Sequence, residues 1–151
     1  MHLSEQSQYA AAATVEDATD SSAIAVEGLV QEGKAFYDVQ DYVQANQRLE
    51  RAVQAYAEGG DRLHQAQTLA LQSLVLQKLG NWDTAQTLLD QSFALLRALT
   101  DPPRRIRAQV LNAQGQLYFA TGQTQPAFQS WDGAEADYSA AGETLGDWQP
   151  N

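Results

Sequence analysis

The chain contains no cysteine among its 151 residues. This absence excludes disulfide bonds, thiolate metal sites and a cysteine nucleophile within these residues. Long apolar runs are also missing, because no stretch reaches the ~18 consecutive apolar residues that predict a membrane-spanning helix. Residues 1–5 lack the basic and then apolar pattern of a secretory signal, so we expect no signal peptide, and the sequence assigns no compartment.

Basic residues are scarce. Nine Lys and Arg stand against nineteen Asp and Glu, which gives a formal net charge of −10. Because phosphate binding requires clustered Lys and Arg, this balance argues against nucleic acid as a partner. Residues 1–33 hold six acidic and no basic residues, and residues 132–151 hold five acidic and no basic residues. The segment between them, with eight acidic and nine basic residues, is close to neutral.

Residues 69–89 carry apolar side chains at helical spacing. The pattern fits a helical period better than the two-residue alternation of a strand. Gly80 divides the stretch into two predicted helices, since glycine adopts the left-handed conformation of a helix C-terminus without a steric penalty. The apolar residues are Leu69, Leu71, Leu74, Val75, Leu76 and Leu79 before this glycine, and Trp82, Ala85, Leu88 and Leu89 after it.

The same pattern recurs at residues 29–49 and 111–131. Two sets of small residues align, and the members of each set are separated by 40 and then 42 residues. A constant period in the range of ~20–50 residues indicates a stacked repeat array. The first set is Gly33, Ser73 and Gly115, and the second is Ala45, Ala85 and Ala127.

The repeated pattern resembles the tetratricopeptide repeat motif, in which a Leu-Gly pair, an aromatic residue and a later alanine recur at fixed spacing. The resemblance covers roughly residues 24–141. It implies an all-α fold, with three antiparallel helix pairs stacked in a right-handed α-solenoid. The period exceeds the ~34 residues of the standard motif. The residue before the small one, usually Leu, is polar in each copy: Glu32, Gln72 and Gln114.

Turn signals predict the domain organisation. We expect a flexible acidic N-terminal segment at 1–21, an array at 22–141 with repeats at about 22–60, 61–100 and 101–141, and a C-terminal segment at 142–151. Predicted helices span about 22–39, with residues 20–22 offering cap side chains, and then 41–57, 61–79 and 81–99. Asp101 is the predicted cap of a fifth helix, which has Pro102 and Pro103 in its first turn and ends at about 121, and a sixth helix spans about 124–141. Residues 142–146 repeat the pattern of residues 60–64. We therefore interpret the last segment as the start of a fourth repeat in a longer protein, or as a tail.

In this family the first helices of successive repeats line a concave groove that binds peptide segments. The repeat phase then predicts a groove in which side-chain amides form hydrogen bonds with a peptide backbone and apolar side chains contact the side chains of the peptide. The alternative for Leu74 and Phe119 is packing against the next helix. The groove candidates are Val30, Lys34, Tyr37, Gln67, Leu74, Gln77, Asn112, Gln116 and Phe119, with Glu27, Asp38, Ala70, Lys78 and Gln109 at neighbouring groove positions.

Arg104, Arg105 and Arg107 form the basic cluster of the chain, at a predicted helix start. Positive charge there opposes the helix dipole. We interpret the cluster as a solvated surface. The alternative is contact with an acidic partner, including the protein's own acidic ends.

The remaining chemistry-bearing residues indicate no catalysis. His2 and His64 lack neighbours at metal-ligand spacing, and Trp82 and Trp131 occupy motif positions that pack in the core. The sequence has no phosphate-binding glycine loop, no Gly-x-Ser-x-Gly and no His-Glu-x-x-His. We therefore predict a protein that is not an enzyme and that uses no metal or cofactor.

Three functions remain open. The favoured one is a protein–protein interaction module that binds a peptide or protein segment in the groove. The second is the sensor region of a larger enzyme. The glutamine-rich composition and the long period of the repeats resemble arrays that precede caspase-like CHAT domains in bacterial, especially cyanobacterial, proteins. The third is a self-assembling scaffold that associates through the terminal repeat, near Leu145 and Trp148.

Overall fold

The computed structural model describes residues 14–142 of the chain, with side chains described from residue 23 onward. This part contains six α-helices and no strand. Each helix packs against the next one in the chain, and short turns make such neighbours antiparallel. The predicted all-α array of helix pairs is therefore confirmed. The helices are α1 Thr14–Asp38, α2 Tyr42–Glu58, α3 Arg62–Lys78, α4 Trp82–Ala98, α5 Arg104–Ala120 and α6 Thr124–Ala140.

Helices α2, α3, α4 and α6 lie within about one residue of their predicted bounds, but the starts of α5 and α1 do not. Helix α5 begins at Arg104 after Pro103, so the predicted cap at Asp101 is wrong. Helix α1 begins at Thr14, so the prediction of a start near Ser22 capped by residues 20–22 is wrong. His2, Leu145 and Trp148, for which roles were considered, lie outside the described residues.

The helix ends share one backbone turn. Gly60, Gly80 and Gly122 adopt φ near +80°, with values of 76°, 76° and 82°. The next residue donates its backbone N–H back to the preceding helix, as Asn81 N does to Leu76 O at 2.9 Å. This Schellman arrangement satisfies carbonyls that a helix end leaves unpaired. Gln40 occupies the equivalent position in the first repeat at φ 64°, although it has a side chain.

In the first and third repeats, a glycine on the first helix faces a large residue on the second helix. A Cβ on Gly33 would lie 2.7 Å from Leu49 Cδ2, and one on Gly115 would lie 2.5 Å from Trp131 Nε1. Ser73 occupies the same position in the second repeat and donates its hydroxyl to Ala85 O at 3.0 Å. The two sets of small residues therefore mark where the paired helices approach most closely.

Successive repeats are joined by side-chain amides as well as by the apolar core. Gln72 on α3 donates to Asn46 Oδ1 on α2 at 3.0 Å. Gln114 on α5 and Gln86 on α4, one repeat later, exchange two hydrogen bonds of 3.1 and 3.2 Å. The polar residues that replace the usual Leu of the motif thus bond to the second helix of the preceding repeat. Glu32 stands at this position on α1 and pairs with Arg48 within its own repeat.

Candidate functional site

The first helices of the three repeats are not evenly spaced. Helix α3 packs directly against α5, whereas α1 and α3 are not a closely packed pair. A cleft of about 380 Å³ lies between them. Ligand sites in proteins typically enclose ~300–1,000 Å³, so this space is large enough for a few side chains of a bound segment. The cleft is lined by Ala23, Glu27, Val30, Gln31 and Lys34 of α1, Tyr56 of α2, Asp61, His64, Gln67, Thr68 and Leu71 at α3, and Arg105 of α5.

Three of the nine principal groove candidates line this cleft. Val30 and Lys34 come from α1, and Gln67 comes from the facing wall on α3. Glu27, predicted at a neighbouring groove position, lies on the same wall as Lys34. The structure therefore brings these three predicted residues of α1 and α3 together, and their role in binding stays a prediction. Other residues that line the cleft, among them Tyr56, Asp61 and Arg105, are not among the residues that the repeat pattern predicted.

The middle of the predicted groove is closed by the packing of α3 on α5. Leu74 is 2% exposed, which agrees with the alternative interpretation that this side chain packs against the next helix. Gln77 is also buried and donates from Nε2 to Ala113 O at 3.1 Å. Asn112 is buried on α5. Ala70 and Gln109, at neighbouring positions, are buried as well.

The other candidates lie away from the cleft. Tyr37 packs edge-on against Tyr42, with ring centroids 5.5 Å apart, and Gln116 is half-buried on α5. Phe119 is 56% exposed and contacts Trp131, with ring centroids 5.7 Å apart. Asp38 and Lys78 are exposed at the ends of α1 and α3.

One wall of the cleft carries a connected polar cluster at the start of α3. Asp61 caps the helix by accepting from His64 N at 3.1 Å, and its other oxygen lies 2.7 Å from His64 Nδ1. The His64 ring stacks on Tyr56 with centroids 5.4 Å apart. Thr68 donates its hydroxyl to His64 O at 2.7 Å. These bonds fix the orientation of the imidazole toward the cleft wall.

The electrostatic character of this wall is negative around Tyr56. Burial raises the pKa of the Tyr56 phenol, and the charges of Asp61 and Glu27 raise it further. The phenol therefore stays protonated at neutral pH and can donate a hydrogen bond. Across the cleft, Lys34 adds a positive charge. The site thus presents both signs of charge beside the apolar side chains of Val30 and Leu71.

Gln67 lines the cleft and also forms a hydrogen bond with α5, the helix against which α3 packs. Its Nε2 donates to Gln109 Oε1 on α5 at 2.7 Å, so the amide oxygen of Gln67 is not used by that bond. Among residues 23–142, no hydrogen-bond partner reaches the buried Gln109 Nε2 or Asn112 Nδ2. The bond to Gln109 holds the Gln67 side chain in place on the cleft wall.

The basic cluster has two separate roles. Arg107 donates to both oxygens of the buried Asp137 on α6, at 2.7 and 2.6 Å, and Arg104 lies 3.8 Å from the same carboxylate. The hydrogen bond with Asp137 raises the pKa of Arg107. Contact with the protein's own acidic end, considered as an alternative, is therefore correct for these two arginines, and solvation alone is not. Arg105 instead lines the cleft.

The two predicted core tryptophans differ. Trp131 is half-buried over Gly115, in agreement with its motif position. Trp82 is 40% exposed, so its assignment to the core is wrong. It is the first residue of α4, where no preceding turn of the same helix shields it.

The array of antiparallel helix pairs, with a cleft between the first helices of two repeats, places the chain in the class of α-helical repeat proteins. Residues 65–130 match the family model described as Tetratricopeptide repeat. This match supports the predicted resemblance to the tetratricopeptide repeat family over these residues. No curated protein and no solved structure matches the chain.

The family indicates an interaction or scaffold module, a coarser statement than any particular ligand. None of the helices in the described part is long and apolar enough to cross a bilayer. Among residues 14–142, no three His, Asp or Glu side chains come together in a metal-binding group.

Proposed function

We propose that this protein is an interaction module that holds an extended segment of a partner protein in the cleft between α1 and α3. The observation that carries the proposal is the spacing of the first helices: the cleft opens between α1 and α3, whereas α3 and α5 are packed together. Because Leu74 and Asn112 are buried in the α3–α5 contact, the binding surface is shorter than a groove along all three repeats. The module acts by binding and not by catalysis.

The lining residues fit a protein segment. Gln31 and Gln67 offer amides from opposite walls, and such amides can bond the backbone of an extended chain. Val30 and Leu71 provide apolar contact for one side chain of that segment. Within the described residues Lys34 forms no ion pair, so its ammonium can meet an acidic group of the partner.

The test begins with selection of ligands from a displayed library of random peptides on the immobilised protein. Selected peptides are then measured by calorimetry against the wild type and against Lys34→Glu. We expect Lys34→Glu to weaken binding by about tenfold or more, because it replaces an attractive charge in the cleft with a repulsive one.

Lys78→Glu is the matched control. It makes the same change of charge on an exposed residue of α3 that does not line the cleft. We expect Lys78→Glu to bind as the wild type does. Equal loss of affinity in both variants would indicate a general charge effect, and no loss in Lys34→Glu would remove the cleft as the binding surface.

A further inference from the structure

The last described repeat ends in an exposed aromatic cluster. Phe119 and Phe128 are 56% and 54% exposed, and both contact Trp131, with ring centroids 5.7 and 5.8 Å apart. We call these three residues the aromatic face. Isolated exposed apolar side chains are common on proteins, but three in contact form a patch of the kind that marks an interaction surface.

The repeat register shows what such a face contacts inside the array. The residues equivalent to Phe119 and Phe128 in the second repeat are Gln77 and Gln86. Gln77 donates to Ala113 O, and Gln86 exchanges hydrogen bonds with Gln114, both on α5 of the next repeat. The aromatic face therefore stands where the first helix of a following repeat would pack.

The opposite end of the array exposes the other half of this contact. Three residues of α1, Gly28, Gln31 and Ala35, lie on one helical face and are exposed. Their equivalents are buried in both later repeats: Thr68, Leu71 and Val75 on α3, and Val110, Ala113 and Leu117 on α5. Ile24 and Val39 extend the same face and are each 72% exposed. We call these five α1 residues the α1 face.

We propose that a second copy of this chain stacks head to tail on the first, with its α1 face against the aromatic face. The two faces are the two halves of the junction that joins repeat to repeat, and within the described residues no helix packs over either of them. Gly28 and Ala35 are smaller than their equivalents Thr68 and Val75 or Val110 and Leu117 at the internal junctions, so the α1 face leaves more room for aromatic rings. The contact is heterologous, so copies add in an open series.

Charge opposes this stacking. Each copy carries a formal net charge of −10, so two copies repel one another at low ionic strength. Added salt screens that repulsion while the apolar contact remains. Association therefore increases with protein concentration and with salt concentration.

The experiment uses the full chain in sedimentation velocity runs across a concentration series, at low and moderate salt. One variant, the tail variant, combines Phe119→Gln and Phe128→Gln, which introduces the residues found at the equivalent internal positions. A second, the head variant, is Ala35→Glu on the α1 face. We expect each change to weaken self-association by at least about tenfold, because it removes an anchor or places a charge in the contact.

Mixing the two variants separates this arrangement from other modes of association. The tail variant keeps a working α1 face and the head variant keeps a working aromatic face, so the mixture should form a one-to-one dimer that grows no further. Ala136→Glu, the matched control, changes an alanine whose equivalents Gln54 and Ala94 are also exposed, and it should associate as the wild type does.

Three results would overturn the proposal. One is a wild-type monomer at every concentration, whether solvent or the chain's own residues 143–151 cover the aromatic face. Another is a wild-type dimer that the head variant leaves unchanged, because a symmetric contact between two aromatic faces does not involve α1. The third is a mixture of folded head and tail variants that stays monomeric while the wild type associates.

Discussion

Gly115 has no room for a side chain, and this sets the distance between α5 and α6. A Cβ would lie 2.5 Å from Trp131 Nε1, and the ring is held by its contacts with Phe119 and Phe128. We expect Gly115→Ala to lower the free energy of unfolding by about 1–3 kcal/mol through overpacking. Thermal and urea denaturation followed by circular dichroism would measure the change.

Gly28→Ala is the control for helix propensity. Gly28 also lies within a helix, but a Cβ there meets nothing within 4 Å. Alanine should therefore stabilise α1 by roughly 0.5–1 kcal/mol. If both substitutions stabilise the protein, Trp131 moves freely and the close approach of α5 and α6 is not required.

The backbone conformation of Gln40 is strained, whereas the equivalent Gly80 and Gly122 adopt a similar conformation without a steric penalty. Its φ of 64° lies in the left-handed region, which costs a residue with a Cβ roughly 1–2 kcal/mol. Gln40→Gly should raise the free energy of unfolding by up to about 1 kcal/mol, since the greater freedom of glycine in the unfolded chain offsets part of the gain.

The reverse substitution, Gly80→Gln, should destabilise the protein by about 1 kcal/mol or more. No neighbour lies within 4 Å of the added Cβ, so the backbone conformation alone is responsible. Urea denaturation of both variants gives the two changes. Changes of the same sign would show that φ at this turn is not what matters.

At the scale of the helix, the bounds of α2, α3, α4 and α6 are predictable because residues that end or cap helices stand at those bounds, whereas the start of α5 is not at the predicted Asp101 cap. Gly60, Gly80 and Gly122 adopt the left-handed turn, and Asp41 and Asp61 cap the helices that follow. The start of α1 has no glycine or proline to mark it, so the sequence predicts a cap at residues 20–22, but the helix continues through them. Backbone signals locate helix ends only where such residues occur.

The groove was predicted less completely, for a different reason. A repeat period determines which face of each helix points inward, and Val30, Lys34 and Gln67 do share one cleft. The period does not determine the distance between helices. That distance depends on how side chains from two helices fit together, and it buries Leu74 and Gln77 while leaving α1 apart from α3.

The amide pair between α4 and α5 gives a test at the scale of the repeat junction. Gln86→Leu should destabilise the protein by roughly 1 kcal/mol or more, because it leaves the buried amide of Gln114 without its partner. Gln114→Leu should behave similarly.

The double variant with Leu at both positions should recover part of the loss, which gives a coupling energy of about 0.5–1.5 kcal/mol in a double-mutant cycle. Urea denaturation of the four proteins supplies the cycle. Strictly additive losses would mean that the two amides do not interact across the junction.

For the whole molecule, the described helices form one stacked unit with two kinds of surface. The inner cleft between α1 and α3 carries mixed charge and hydrogen-bonding groups, which suits a foreign peptide. The two ends of the array carry apolar residues in the repeat register, which suits another copy of the chain. The surfaces involve different residues except on α1, where Gln31 borders both.

The central claim is that the cleft between α1 and α3 is where a partner segment binds. Chemical-shift mapping of the isotopically labelled protein, titrated with a library-selected peptide, tests it most directly. We expect the largest shifts at residues on both walls of the cleft, namely Val30, Lys34, Gln67 and Thr68. Shifts confined to Gln116, Phe119 and Phe128, with the cleft signals unchanged, would contradict it.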